Sequence, residues 1–109
     1  MIEPSHEIAR RAAEKLAGVD AELPAATERL IRGAPRRRSL DGATSLALAS
    51  LVLSLVQFGW TVYQDLRKQA EPRETLVRRL RVRIEETGDH LPAAQRERIV
   101  EVVAEEIVG

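Results

Sequence analysis

Histidines and carboxylates are the residues of this chain that most often do chemistry in proteins, but their spacing does not suggest a reactive site. The 109 residues include two histidines, 17 aspartates and glutamates and no cysteine. His6 and His90 lie near expected helix starts, and neither belongs to a His-Glu-x-x-His pattern. The glycines are scattered at expected helix ends apart from Gly59 and form no phosphate-binding loop. We therefore expect no catalysis, no metal and no cofactor, and the lack of cysteine excludes disulfides.

The spacing of small and weakly polar residues predicts non-covalent binding instead. A stripe whose members are alternately four and three residues apart lies along one side of a helix. In lipid, small residues let two helix backbones approach, and a glutamine can hydrogen-bond across the pair. The stripe therefore predicts a homo-oligomer or pairing with a partner's transmembrane helix. Its members are Ala43, Ala47, Ser50, Ser54, Gln57 and Thr61, and Gln64 continues the spacing.

A second candidate surface is a cluster of four arginines, Arg78, Arg79, Arg81 and Arg83. Guanidinium groups beside a membrane predict binding to anionic lipid or to an acidic protein surface. The alternative is a solvated helix face on which the nearby glutamates 74, 85 and 86 neutralise the cluster. The whole chain has 17 cationic and 17 anionic side chains, so we expect no dedicated nucleic-acid binding.

The element that carries the stripe is an uncharged run of 23 residues, 42–64, in a chain of which 31% is charged. As a helix the run would be about 35 Å long, enough to cross a hydrocarbon core of about 30 Å. Aromatic and basic residues at its ends are typical of anchors at a membrane surface. The predicted anchors are Arg36, Arg37, Arg38, Trp60, Tyr63, Arg67 and Lys68.

These features predict a small single-pass membrane protein that acts as a non-catalytic anchor or adaptor in the lipid bilayer. The charged first 20 residues predict no cleavable signal peptide, and basic residues on both sides of the run leave the orientation open. One alternative is a soluble helical oligomer with the same helix as its core, in which the stripe would be the exposed side. A third possibility is a pore-forming effector whose lumen would be lined by the hydroxyls and amides of the stripe.

The rest of the chain also has helical patterns, which predict an all-α fold. One long helix at about 41–70, with Asp41 as a possible N-cap, is flanked by short amphipathic helices within 4–18, 24–33, 72–88 and 92–108. Pro72 disfavours continuation of the long helix. Residues 1–40, 41–70 and 71–109 then form an N-terminal segment with a basic connector, a transmembrane segment and a C-terminal hairpin-like module. Strands are the alternative for 77–84 and 99–108, where apolar residues alternate with arginine or are β-branched.

Overall fold

The computed structural model describes residues 4–33, 43–88 and 91–109, and these residues form an all-helical fold. Its helices are α1 (Pro4–Lys15), α2 (Leu23–Ile31), α3 (Ala43–Lys68), α4 (Arg73–Thr87) and α5 (Ala93–Val108). A short 3-10 turn, Leu16–Gly18, extends α1. The prediction of an all-α fold is confirmed. The strand alternative for 77–84 and 99–108 is wrong, because both segments lie within helices.

Proline and glycine mark the ends of the shorter helices, as their backbone chemistry requires. Pro4 and Pro24 lie in the first turns of α1 and α2, where a backbone N–H has no partner within the helix. Gly33 follows α2 with a φ of 83°, a left-handed conformation that glycine adopts without steric cost. The predicted helix starts and stops therefore lie close to the observed ones.

The C-terminal end of α3 lies at Lys68, and Pro72 follows the turn that ends the helix. The N–H of Glu71 donates to the carbonyl of Leu66 at 3.0 Å, and that of Ala70 donates to Arg67 at 3.2 Å. This is the Schellman arrangement, with Ala70 at the left-handed position and a φ of 55°. The predicted N-cap Asp41 lies outside the described residues.

Helix α3 is the centre of the fold and packs against α1, α2, α4 and α5. One side of α3 is buried in a core with the apolar faces of these helices. At Gly59 the fit is tight, because an added Cβ atom would lie 2.6 Å from Cδ1 of Ile107 and 3.0 Å from Cδ2 of Leu80. The buried apolar residues of α3 are Leu48, Ala49, Val52, Leu55, Val56, Val62 and Leu66.

Ion pairs join the outer edges of neighbouring helices. Nε of Arg10 on α1 lies 2.8 Å from the Glu28 carboxylate on α2. Glu106 on α5 pairs with two cations of α1, Arg11 at 3.0 Å and Lys15 at 2.6 Å. These contacts connect segments far apart in the sequence, so they depend on the tertiary arrangement of the helices.

Helix α3 also meets the length and composition needed to cross a membrane, over Ser45–Lys68. This is weak evidence, because the core helix of a soluble protein passes the same test. In this structure 39% of its most apolar stretch is buried inside the fold.

Candidate interaction surfaces

The predicted stripe lies on the side of α3 opposite the core. We call this surface the open face and define it as Ala47, Ser50, Ser54, Gln57, Thr61 and Gln64. Ser50 is half-buried and the other five are exposed. Ala43, the remaining predicted member, is the first residue of α3. The structure therefore places the described side chains of the stripe on one accessible surface.

Half-buried apolar side chains border the open face on both sides. Leu46, Leu53 and Trp60 are seven residues apart and line one edge, while Leu51 and Phe58 line the other. No charged residue occurs between Ser45 and Gln64. Between Ser45 and Gln64 the accessible side of α3 is consequently as free of charge as its buried side.

Two hydroxyls of α3 have partners within the protein. The Thr61 hydroxyl donates to the Gln57 carbonyl at 3.1 Å, a bond within the helix that satisfies it without a partner chain. The Ser45 hydroxyl donates to Oδ2 of Asp20 at 2.8 Å and thereby ties the start of α3 to the turn before α2. The Ser54 hydroxyl and the Gln57 amide form no hydrogen bond with any described residue, so both can bind across an interface.

The predicted membrane anchors fall into two groups. Trp60 and Tyr63 have ring centroids 6.0 Å apart, and the Arg67 guanidinium lies 5.8 Å from the Tyr63 centroid. Lys68 is exposed at the end of the same helix. Arg36, Arg37 and Arg38 lie outside the described residues. The aromatic and basic anchors that are described therefore lie together at one end of α3.

The four arginines of the cluster differ in their contacts, because Arg81 alone among them pairs with a described carboxylate of α5. Nε of Arg81 lies 3.0 and 3.1 Å from the two carboxylate oxygens of Glu97 on α5. The hydrogen bonds between them lower the pKa of Glu97 and raise the pKa of Arg81. Within the described part of the chain, none of the four arginines forms an ion pair with glutamates 74, 85 or 86. The Arg81 guanidinium is thus already paired with a carboxylate of α5.

The other three arginines line a groove of about 300 Å³ between α3 and α4. We call it the arginine groove, and its lining residues are Phe58, Arg78, Arg79, Val82, Arg83 and Glu86. The guanidinium carbon of Arg83 lies 5.1 Å from the Phe58 ring centroid. Nε of Arg83 is buried and has no hydrogen-bond partner among the described residues.

Sequence reasoning identified the arginines of this groove, and Glu86 as a neighbour that could neutralise them, but it did not place Phe58 or Val82 beside them. One signal was available for Val82. Leu76, Leu80 and Ile84 define the buried side of α4 at intervals of four, and Val82 is two residues from that series. It therefore lies on the solvent side, where 54% of it is exposed. The contribution of Phe58 depends on how α3 packs against α4, which no local pattern predicts.

Comparisons with known proteins assign no family to the chain. No protein-family model, curated protein or solved structure matches it. Within residues 4–33, 43–88 and 91–109, no group of three or more histidines and carboxylates is placed to hold a metal ion.

Proposed function

We propose that this protein is a non-catalytic helical adaptor that self-associates through the open face of α3. The supporting observation is that α3 buries one side in its own fold and leaves an uncharged side accessible. The open face extends about 26 Å from Ala47 to Gln64. The solvent side of a helix normally carries charged residues. The open face has none, although 31% of the chain is charged. An uncharged accessible surface of this kind is typical of one that is covered in the assembled protein.

A second copy of the chain fits this surface for three reasons. Two copies related by a two-fold axis bring the same surface of each chain into contact. Because the open face is uncharged, this contact buries no charge without a partner. Ala47 and Ser54 are small enough for close approach of two helices. Leu53, Trp60 and Phe58 at the edges supply apolar and aromatic area, the kind of side chain that is enriched at interface centres.

The test is a single charge placed at the centre of the open face. Ser54→Arg should convert a wild-type dimer or larger oligomer into a monomer, because the charge would be buried at the interface without a partner. We expect the dissociation constant of the oligomer to rise at least about a hundredfold. The measurement is sedimentation equilibrium over a range of protein concentrations. Ala25→Arg on the exposed side of α2 is the matched control and should keep the wild-type mass.

Two results would contradict the proposal. One is a wild-type protein that stays monomeric at every concentration, and the other is an S54R variant that keeps the wild-type mass. Circular dichroism of both variants checks that the helices are intact, so loss of association is distinguished from unfolding.

A second candidate is a single-pass membrane anchor. It is favoured by the length of the apolar segment Ser45–Lys68 and by the accessible majority of its most apolar stretch. In that state α3 would lie in the bilayer, and the charged segments 1–40 and 71–109 would stay in water because burying their ions in hydrocarbon is costly. Trp60, Tyr63, Arg67 and Lys68 would lie at the membrane surface, and the stripe would pair two spans.

Fractionation of cells expressing the chain separates the two candidates. A protein released from the membrane pellet only by detergent, and not by alkaline carbonate, would support the anchor. A protein of fixed oligomeric size in the supernatant would support the adaptor. Growth inhibition with membrane depolarisation would instead favour a pore whose lumen is lined by the stripe.

A further inference from the structure

We propose that the arginine groove binds an acidic peptide segment of a partner protein, with an apolar side chain beside its carboxylates. The site lies between α3 and α4 and uses guanidinium groups, whereas the proposed self-association uses the uncharged open face. Phe58 borders the open face and also lines the groove. The other residues of the two proposals differ, so either proposal can fail alone.

The environment of the Arg83 side chain is the first feature of the groove that indicates a ligand. Its guanidinium packs against the Phe58 ring, which holds the planar group in one orientation. Its Nε is buried and has no acceptor among the described residues. A buried donor without an acceptor is unfavourable, and native structures rarely leave one unexplained. A carboxylate in the groove would bind the terminal nitrogens of this guanidinium, and a shift of the Arg83 side chain would bring Nε to the same acceptor.

Arg78 and Arg79 extend this site to the protein surface. Both are exposed, and neither forms an ion pair with a described residue. The groove contains three arginines and one acid, Glu86, so its formal charge is plus two. Arginine binds carboxylates through two parallel hydrogen bonds, which adds geometric selectivity to the attraction. These features suit a segment with at least two closely spaced carboxylates.

The apolar part of the groove adds a second requirement. Val82 is a large hydrophobic side chain left mostly accessible on α4, and the half-buried Phe58 lies on the opposite wall. A volume of about 300 Å³ is at the small end of ligand sites. It accommodates one or two side chains of a peptide. An aliphatic or aromatic residue next to the acidic ones would cover Val82.

Charge balance favours a peptide over an anionic membrane. The exposed residues of α4 outside its ion pair with α5 include three arginines and three glutamates, and the chain as a whole has no net charge. An anionic bilayer acts on this whole surface and would gain little attraction. The carboxylates of a peptide in the groove, by contrast, can contact the guanidinium groups of Arg78, Arg79 and Arg83 directly. The residues compared are Arg73, Glu74, Arg78, Arg79, Glu85 and Glu86.

The experiment measures binding of a fluorescent synthetic peptide in which glutamates alternate with leucine and phenylalanine. A second peptide has glutamine in place of every glutamate. Fluorescence anisotropy is recorded with the full chain, with Arg78→Gln/Arg79→Gln, and with Arg29→Gln/Arg98→Gln. The last variant removes the same charge from exposed positions outside the groove and is the matched control. Val82→Ser tests the apolar contact.

The expected result is saturable binding of the acidic peptide and at least about tenfold weaker binding of the glutamine peptide. R78Q/R79Q should lose a similar factor, V82S a smaller one, and R29Q/R98Q almost none. Absence of saturable binding, or equal losses in the two double variants, would overturn the proposal. Binding to phosphatidylserine vesicles that requires Arg78 and Arg79, without binding of the acidic peptide, would assign the groove to lipid instead. Sedimentation of R78Q/R79Q tests self-association separately, and we expect the wild-type mass.

Discussion

Ala70 shows how a single residue ends the longest helix at a measurable energetic cost. It adopts a φ of 55° at the left-handed position after α3. The Cβ atom of an L-residue crowds the following carbonyl in this conformation, at a cost of about 1–2 kcal/mol, which glycine avoids. The cost is tolerated because the turn pairs the N–H groups of Ala70 and Glu71 with carbonyls of the last helical turn.

Replacing Ala70 with glycine should therefore stabilise the protein. We expect A70G to raise the free energy of unfolding by about 1 kcal/mol, measured by urea denaturation. Ala25→Gly, on the exposed side of α2, is the control and should lower it by about 1 kcal/mol, because glycine is unfavourable inside a helix. A lower stability of A70G would contradict this account of the turn.

At the scale of elements, the packing of α3, α4 and α5 depends on the missing side chain of Gly59. Leu80 and Ile107 approach the Gly59 backbone from α4 and α5, and both side chains are buried. Glycine within a helix normally costs about 1 kcal/mol relative to alanine. The close approach of three helices explains why that cost is accepted at this position.

Gly59→Ala should consequently destabilise the fold although it improves helix propensity. The added Cβ would displace Ile107 and Leu80 inside a closed core, and overpacking of this kind costs about 1–3 kcal/mol. The free energy of urea unfolding measures the effect. Gly18→Ala is the control, since no heavy atom lies within 4 Å of the added Cβ, and it should be neutral or slightly stabilising. An unchanged stability of G59A would show that the two side chains move aside freely.

At the scale of the whole molecule, ion pairs connect α1 to α2 and α5, and α4 to α5. Hydrogen bonds from Arg10, Arg81 and Lys15 lower the pKa values of Glu28, Glu97 and Glu106 below their ordinary value of 4.5. A carboxyl group whose pKa is lower in the folded state binds more protons when unfolded. Its contribution is present above the unfolded pKa and is lost as the pH falls through the folded pKa.

Stability should therefore be nearly constant from about pH 7 to pH 5 and should fall as the pH drops below about 4.5. Urea unfolding at a series of pH values measures this dependence. Glu106→Gln replaces the carboxylate shared by Arg11 and Lys15 with a neutral amide that does not titrate, so this variant should lose less stability on acidification than the wild type. A wild-type stability that rises below pH 4.5 would contradict the sign of the predicted pKa effects.

The positions and type of most elements followed from the order of the residues. Helix formation depends on neighbours up to four positions away, so residue spacing predicted the amphipathic helix within 72–88. In α4 the buried side of that helix is the series Leu76, Leu80 and Ile84. Strict alternation around Val82 suggested a strand, but a strand requires a partner and helical packing on α3 and α5 prevailed. The stripe of α3 also followed from spacing alone, since residues three and four apart share a helix side.

Only the tertiary structure decided which sides of those helices are buried against other helices and which side chains pair between them. The uncharged run of α3 was compatible with lipid or protein around it, and in this structure its Leu and Val side packs against four other helices. Packing also separated Arg81, which pairs with Glu97 on α5, from Arg83, which lies against Phe58 on α3. These contacts join residues at least 16 positions apart. Their free energies depend on how the helices pack and not on local conformational preference, so residue spacing could not predict them.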